Sequence, residues 1–383
     1  MRVTDYELYE VPPRWVFLKV ITDEGIEGWG EPIVEGHART VVAAVSEIMD
    51  NYLIGKDPFE IEKHWQAMYR GRHFRGGPVL MSSIAGIDQA LWDIKGKHYG
   101  APVYDLLGGR ARDRVRAYQW IGGDTPEEAA TAAAEAVENG YGTLKMAAVS
   151  QIRRIDSPDA VRTARDRLAA VREAVGEGVD IGVDFRGRVT KGMAKWLAAE
   201  LDEFDPMFYE EPLLPEHFDA LDQLEVHTKT PLASGERMYS RWEFKSTLES
   251  GYIDVIQPDP SHAGGITEVK KIANTAESKD IAVAPHCPLG PIAFAACVHL
   301  DVALPNALVQ AQNLDIHDPQ DNDLLAYLED PDVFSFSGGY LQPPDDPGLG
   351  IEIDESYVAE QSSERIDWQN PIWYHEDGSV AEW

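Results

Sequence analysis

Two sequences, Asp-Pro-Ser-His-Ala-Gly-Gly-Ile at residues 259–266 and Ala-Pro-His-Cys-Pro at residues 284–288, each adjoin a short apolar run. The first run ends in Asp259 and the second in His286. Strands that end in a polar residue and alternate with helices are typical of a parallel barrel, in which the carboxyl ends of the strands face one pocket. We therefore expect Asp259 and His286 to form a carboxylate–imidazole pair, in which the acid orients the ring and raises its basicity. The alternative is two buried polar residues with separate partners.

Strand and helix patterns alternate from residue 115 onward, and most of the strands recur every 23 to 27 residues. Eight such units predict an α/β fold of the TIM-barrel type. An open doubly wound sheet is the alternative, but no glycine-rich phosphate-binding sequence follows the first strand. The predicted strands cover residues 115–121, 143–148, 180–185, 207–211, 231–236, 255–259, 281–286 and 308–312. Predicted helices between them include residues 126–139, 157–175, 194–201 and 266–277.

The residues before and after the barrel predict a second domain of the α+β class. Residues 14–22 and 26–31 form a predicted hairpin, and helices are predicted at residues 40–52, 58–69 and 81–98. The C-terminal part is rich in proline and glycine and carries Trp368 and Trp373, so we expect it to pack back on the N-terminal part. The predicted boundaries are residues 1–114, 115–320 and 321–383.

A basic, glycine-rich loop at residues 70–78 stands out in a strongly acidic chain. It is either a solvated turn or a surface that faces an anion.

Three more predicted strands end in acids, namely Asp184, Glu210 and Glu236, which are separated by 26 residues each. One strand–helix unit of that length places the three carboxylates beside one another at the same end of the barrel. Such close negative charges are unfavourable unless a cation holds them. A site with oxygen ligands alone and open positions for water and substrate suits Mg²⁺.

The chain of 383 residues has 66 acidic and 34 basic side chains, which gives a net charge of -32. This charge disfavours nucleic acid and anionic membranes as partners, and it is spread along the chain as in proteins from a salty cytoplasm. An ordinary acidic enzyme is the alternative. There is no apolar run long enough to span a membrane and no signal-peptide core, and the two cysteines, Cys287 and Cys297, do not form a disulfide framework. We expect a cytoplasmic homo-oligomer.

Long sequence motifs over nearly the whole chain resemble the enolase superfamily, in its mandelate racemase-like branch, and within that branch the galactonate dehydratases. The resemblance implies a modified (β/α)7β barrel under a capping domain that both termini build. It also implies Mg²⁺ on Asp184, Glu210 and Glu236, with His286 and Asp259 as the general base. The motifs lie at residues 12–15, 85–97, 235–241, 257–259, 261–268, 284–291 and 375–377.

Two positions depart from the pattern of that family. The resemblance implies a histidine as general acid two residues after the first metal ligand, where this chain has Arg186, and a glutamate at the end of the last strand, where it has Ala311. An arginine stays protonated at working pH, so it does not serve as a proton donor. The remaining candidates for the acid are His286 itself, His317 and Lys145.

The expected reaction is Mg²⁺-dependent dehydration of a sugar acid of the galactonate or gluconate type to a 2-keto-3-deoxy acid, catalysed by a hydro-lyase. In this reaction Mg²⁺ binds the substrate carboxylate and His286 removes the α-proton. Two alternatives remain open. One is epimerisation or racemisation of a hydroxy acid, and the other is a metal-binding barrel that binds sugar acids without turnover.

The net charge predicts that KCl stabilises the fold. Screening weakens the repulsion among the acidic side chains, so the melting temperature should rise as KCl approaches molar concentrations. Thermal unfolding measured by circular dichroism over a KCl series tests this. A melting temperature that stays flat or falls would contradict adaptation to a salty cytoplasm.

Overall fold

Three antiparallel strands begin the chain in the computed structural model, which describes residues 1–319, 323–363, 366 and 368–382. They pair in the order β1-β2-β3, and four helices follow them. The elements are β1 (Val3–Val11), β2 (Trp15–Thr22), β3 (Glu27–Gly30), α1 (Ala38–Ile48), α2 (Ile61–Arg70), α3 (Pro78–Tyr99) and α4 (Val103–Leu106), with a π-helical turn at Met49–Leu53. The hairpin and the three longer helices confirm the α+β class predicted for this part.

Helix α3 packs directly against β3 because both have glycine at the contact. A Cβ added to Gly30 would lie 1.9 Å from the carbonyl oxygen of Gly86, so no other residue fits there without moving the helix. The close approach fixes α3 against the sheet, and the far side of α3 is free to contact the barrel.

A parallel sheet of seven strands forms the centre of the barrel, with neighbours in the order β11-β10-β9-β8-β7-β6-β5. The strands are short and most of their residues are buried, as in parallel strands covered by helices. With the preceding short strand, they are β4 (Val115–Arg116), β5 (Gln119–Ile121), β6 (Thr143–Ala147), β7 (Asp180–Asp184), β8 (Phe208–Glu210), β9 (Leu232–Ser234), β10 (Val255–Ile256) and β11 (Ala282–Val283). This confirms the predicted TIM-type barrel.

The barrel closes differently from the sequence-based prediction at its first and last strands. Residues 115–121 divide into β4, which pairs antiparallel with the C-terminal part of the chain, and β5, which belongs to the barrel. The predicted eighth strand is reduced to two isolated parallel bridges, Val283 with Ala307 and Ala117 with Gln310. These bridges join the two edges of the sheet, so closure rests on few hydrogen bonds.

Helices follow the barrel strands within a few residues of their predicted positions. Helix α5 begins with a capping box, in which Thr125 and Glu128 satisfy each other's backbone N–H groups. The remaining elements are α5 (Pro126–Glu138), α6 (Pro158–Val175), α7 (Lys191–Leu201), α8 (Leu221–Glu225), α9 (Arg241–Ser250), α10 (Gly265–Glu277), α11 (Pro291–Ala303), β12 (Phe336–Ser337), β13 (Tyr340–Leu341) and α12 (Glu355–Gln361). No helix in the described ranges is both long and apolar enough to cross a bilayer.

The C-terminal part of the chain returns to the N-terminal part, as the two tryptophans in it suggested. Asp93 on α3 connects the two parts through both oxygens of its side chain. Its Oδ2 accepts hydrogen bonds from Trp29 N at 3.0 Å and from Lys97 Nζ at 2.8 Å. Its Oδ1 accepts one from Leu349 N, in the C-terminal part, at 2.8 Å. Lys19 on β2 also pairs with Glu355 at 2.8 Å. The cap is therefore built from both termini, while its boundaries at residues 114 and 321 stay a prediction.

Replacing Asp93 with asparagine should destabilise the protein by about 2 kcal/mol, because the side chain is buried and faces donors at both oxygens. Either orientation of the amide turns its NH₂ group toward an N–H donor. Urea unfolding of Asp93→Asn measures the loss, with Asp113→Asn, at an exposed position, as the matched control. Equal stability of the two variants would contradict the conclusion that Asp93 holds the N- and C-terminal parts of the cap together.

Candidate active site

Three of the predicted acids lie at the carboxyl ends of neighbouring strands. Asp184 ends β7 and Glu210 ends β8, where the two residues are register partners, and Glu236 follows β9 by two residues. All three line one cavity of about 300 Å³. The regular spacing of the sequence therefore brings these carboxylates to one side of the barrel.

Glu210 is fully buried, and two neighbouring side chains bind its oxygens. Lys145 Nζ on β6 donates to Oε1, and Gln257 Nε2 donates to Oε2 at 2.6 Å. Burial alone would lower the pKa of Lys145, but the negative charge of Glu210 raises it well above its ordinary value. Lys145 is therefore held as a cation, which favours a role in charge balance over proton abstraction.

The charges of Asp184 and Glu236 respond to their surroundings in opposite directions. Burial and the nearby Glu210 raise the pKa of Asp184 to about 7. Burial alone would raise the pKa of Glu236 too, but the positive charges of His286 and Arg237 hold it below its ordinary value. The first carboxylate is thus under electrostatic strain that a cation would relieve.

His286 and Asp259 meet as the sequence predicted. His286 Nδ1 lies 2.9 Å from Asp259 Oδ2, and its Nε2 faces Glu236 Oε2 at 3.4 Å inside the cavity. Asp259 is itself fixed by a hydrogen bond from Ser261 N at 2.7 Å. Burial alone would lower the pKa of His286, but Glu236 and Asp259 raise it to about 9. The ring is therefore oriented, and its Nε2 is the atom that faces the cavity.

The donor chemistry of the three acids suits a hard divalent cation, although their side chains do not stand in a ligand cluster. Within the described residues, no group of three His, Cys, Asp or Glu side chains has the spacing that a metal ion needs. The oxygens instead contact protein donors: Glu210 binds Lys145 and Gln257, and Asp184 Oδ1 accepts a hydrogen bond from Arg186 N at 2.6 Å. Three carboxylates around one cavity still match the all-oxygen set that Mg²⁺ prefers.

Arg186 lies beside the acids with its backbone in the left-handed region, at φ 57°. Its guanidinium stacks on the ring of Trp120, with Cζ 4.7 Å from the ring centre, and its Nε is 3.8 Å from Asp184 Oδ2. Its carbonyl oxygen accepts a hydrogen bond from Arg237 Nη2 at 2.6 Å. The side chain is thus held in the cavity from two sides.

The cavity concentrates positive charge in a protein that is otherwise acidic. Its lining includes five cationic side chains. One of them, Arg14, comes from the cap, and its Nε lies 2.6 Å from Oε1 of Glu35, which also lines the cavity. Ala311 lies in the same wall and offers no polar group. The cationic residues are Arg14, Lys145, Arg186, Arg188 and Arg237.

Two of the sequence-based suggestions fall outside the cavity lining. His317 lies in a neighbouring groove, where its Nδ1 is 3.3 Å from Tyr141 Oη. In the loop at residues 70–78, Phe74 is 84% exposed, and the described lining of the main cavity includes none of the loop's arginines. This placement fits the solvated-turn interpretation of the loop.

Sequence reasoning missed Trp120, Arg188 and Arg237. Trp120 lies near the end of the first barrel strand, the position from which other strands contribute their site residues. Arg237 directly follows Glu236, and Arg188 follows Arg186 by two residues. Burial and the positive charge of Arg186 lower the pKa of Arg188 to about 10. The sequence does not show this destabilisation of the charged guanidinium.

Two family models match consecutive parts of the chain. The mandelate racemase / muconate lactonizing enzyme N-terminal domain matches residues 12–108, and the enolase C-terminal domain-like model matches residues 128–357. The curated proteins named D-galactonate dehydratase from Ralstonia pickettii and Ralstonia nicotianae are each 52% identical to it over 383 residues, which is 100% of both chains.

Solved structures agree with this relationship. An enolase from Agrobacterium radiobacter, crystallised with bound Na and L-malate, has a TM-score of 0.91 and 30% identity and covers 100% of both chains. A member of the enolase superfamily from Salmonella Typhimurium has a TM-score of 0.87 and 32% identity over 94% of this chain and 98% of that chain. With two adjoining family models, full-length relatives and the same barrel and cap, the chain belongs to the mandelate racemase and muconate lactonizing enzyme family of the enolase superfamily.

Proposed function

We propose that this protein is a Mg²⁺-dependent hydro-lyase that removes water from a sugar acid and leaves a 2-keto-3-deoxy acid. The observation that carries the proposal is the His286–Asp259 pair, whose free ring nitrogen faces Glu236 in the cavity that Asp184 and Glu210 also line. Relatives named D-galactonate dehydratase that match the whole chain support a substrate of the galactonate or gluconate type.

Asp184, Glu210 and Glu236 would hold the metal, since they are the carboxylates at the strand ends that line this cavity, whereas the fourth, Glu35, comes from the cap and pairs with Arg14. Bound there, a divalent cation supplies electrostatic stabilisation of the negative charge that grows on the substrate carboxylate as the α-proton leaves. Lys145 on Glu210 adds a further fixed positive charge on the same side of the cavity.

His286 removes the α-proton through Nε2, because Nδ1 is occupied by Asp259. The charge of Glu236 raises the pKa of His286 to about 9 together with the hydrogen bond and the charge of Asp259. Neutralising the charge of Glu236 would lower this pKa and so favour the neutral ring that a general base needs. Asp259 then stabilises the imidazolium that forms.

The departing β-hydroxyl needs a proton, and His286 is the residue placed to return it. Among the described residues that line the cavity, His286 is the one histidine. Lys145 is tied to Glu210, and Arg186 does not release its proton at working pH. One imidazole would thus accept the α-proton and donate it to the leaving oxygen, while Arg186 holds a substrate oxygen by hydrogen bonds.

A specific observation also favours a second candidate, the epimerisation of a hydroxy acid. Arg186 and Ala311 occupy the positions at which the family carries an acid and a stabilising glutamate, and both line the cavity. In that reaction His286 would remove the α-proton and a second donor, such as Lys145, would return a proton to the opposite face of the α-carbon without loss of the hydroxyl. Incubation of sugar acids in D₂O separates the candidates: dehydration gives keto acid, epimerisation gives α-deuteration alone, and a barrel that only binds gives neither.

Removing Mg²⁺ with a chelator should abolish the activity, and Glu236→Gln should weaken Mg²⁺ binding by more than about a hundredfold, since changes even behind metal ligands cost about 10–100-fold. Calorimetric titration with Mg²⁺ measures the affinity. Glu225→Gln, at an exposed position outside the cavity, is the matched control. Full activity in excess chelator would refute the ligand assignment.

His286→Asn should slow exchange of the substrate α-proton in D₂O by about 10²–10⁴-fold, the usual contribution of a general base. Substrate binding should remain nearly intact, because the variant keeps all of the carboxylates. Asp259→Asn should slow the exchange without eliminating it, since the ring persists but loses its orienting partner. Proton NMR of the α-position follows both variants, with His227→Asn, at an exposed site, as the control. Undiminished exchange in His286→Asn would place the base elsewhere.

A further inference from the structure

A pair of neighbouring arginines in the cavity lacks the counter-charges that such residues normally have. Arg188 is 4% exposed, and no described carboxylate lies within 4 Å of it. Its Nη1 donates to Ser150 O, while Nε and Nη2 have no hydrogen-bond partner. Arg186 stands in front of it, and the one described carboxylate within 4 Å is Asp184, at 3.8 Å, which is too far for a hydrogen bond.

The guanidinium of Arg188 also lies over the ring of Trp373, with Cζ 4.9 Å from the ring centre, but neither this ring nor Ser150 O carries a full negative charge. Two nearby guanidinium groups repel each other, and burying one without a counter-charge is costly. The chain has 66 acidic residues, yet the described part of it supplies neither arginine with a carboxylate of its own. An anion from outside the protein would offset this cost. Asp184 does not serve that purpose, because it belongs to the carboxylates proposed to bind the metal.

Arg186 is positioned in advance to receive such an anion. Its guanidinium lies flat on Trp120, its backbone N–H and carbonyl are tied to Asp184 and Arg237, and its side chain remains 37% exposed in the cavity. Little conformational freedom is left to lose on binding, which strengthens each hydrogen bond that forms. A guanidinium offers parallel N–H groups that match a carboxylate or a phosphate.

We infer that the preferred substrate is a galactonate- or gluconate-type sugar acid that carries a second anionic group at its terminal carbon, with the first group directed to the carboxylate cluster and the second bound at Arg186 and Arg188. This inference rests on the proposed function, which assigns the reacting carboxylate to the cluster at Asp184. A neutral terminal hydroxyl would leave both arginines without a counter-charge. The second group is either a carboxylate, as in a dicarboxylic sugar acid, or a terminal phosphate, and the chemistry that recognises them is shared.

The test compares acids that differ at the terminal carbon alone, at one fixed KCl concentration. D-galactonate is set against galactarate, and D-gluconate against D-glucarate and 6-phospho-D-gluconate. Wild-type kcat/KM should favour at least one dianion over its matched monoanion by about 10–100-fold, the usual effect of a charge-assisted hydrogen bond. The better dianion tells whether the second group is a carboxylate or a phosphate.

Arg186→Gln should remove most of that preference, mainly by raising KM for the dianion, while Arg186→Lys should restore part of it. Arg162→Gln, on the exposed face of α6, is the matched control and should keep the preference. If Arg186→Gln lowers the rates with monoanions and dianions alike, or if the wild type shows no preference, the inference is overturned. Formation of keto acid in either case would leave the proposed function standing.

A binding measurement separates failure of the inference from failure of the proposed function. The His286→Asn variant, which is expected to bind without turnover, is titrated by calorimetry with galactarate and with D-galactonate in the presence of Mg²⁺. Tighter binding of galactarate by about tenfold or more supports the inference even if no acid is dehydrated. Equal affinities for the two acids, together with equal affinities for D-gluconate and 6-phospho-D-gluconate, would overturn it.

Discussion

Negative charges that lie side by side at the ends of neighbouring parallel strands are unfavourable, and the rest of the site is arranged around this constraint. Asp184 and Glu210 are register partners on β7 and β8, so their separation is set by the hydrogen bonds of the sheet. Lys145 and Gln257 bind the oxygens of Glu210, and Arg186 N binds Asp184. Each of these donors offsets part of the negative charge that the strand register brings close together.

The same constraint explains why the cap must be fixed firmly to the barrel. Buried charges interact strongly only where water is excluded, and the cap supplies Arg14 and Glu35 to the cavity wall. Glu31 secures this arrangement at the barrel: its Oε1 accepts a hydrogen bond from Gly290 N at 2.7 Å and its Oε2 accepts one from Ala293 N at 2.9 Å, at the start of α11. Asp93 joins the two chain termini within the cap. Glu31 and Asp93 are not among the residues that line the cavity, yet by holding the cap in place they help to keep the dielectric constant of the cavity low.

The site differs from the pattern of its family in the half that handles the leaving group. The pair proposed as the general base is in place, with His286 oriented by Asp259 at 2.9 Å. In the same cavity, Arg186 and Ala311 stand where the family resemblance implies a proton donor and a carboxylate. Exchanging a titratable group for a fixed charge gives up proton transfer and gains anion recognition. Under the proposed function, Arg186 would therefore affect both the reaction and the choice of substrate.

The sequence by itself determined that His286 meets Asp259, that Asp184, Glu210 and Glu236 line one cavity, and the order of most barrel strands. Those features follow from local rules, because a strand–helix unit has a nearly constant length and its strand ends in a fixed direction; the 26-residue spacing of Asp184, Glu210 and Glu236 was therefore readable. Tertiary structure alone decided how the barrel closes, since the bridges at Ala307 and Gln310 join segments that are far apart in sequence. It also decided that Lys145 pairs with Glu210, that Trp120 supports Arg186 and that no described carboxylate lies within 4 Å of the buried Arg188. Such pairings depend on distances between separate strands, which no pattern along the chain encodes.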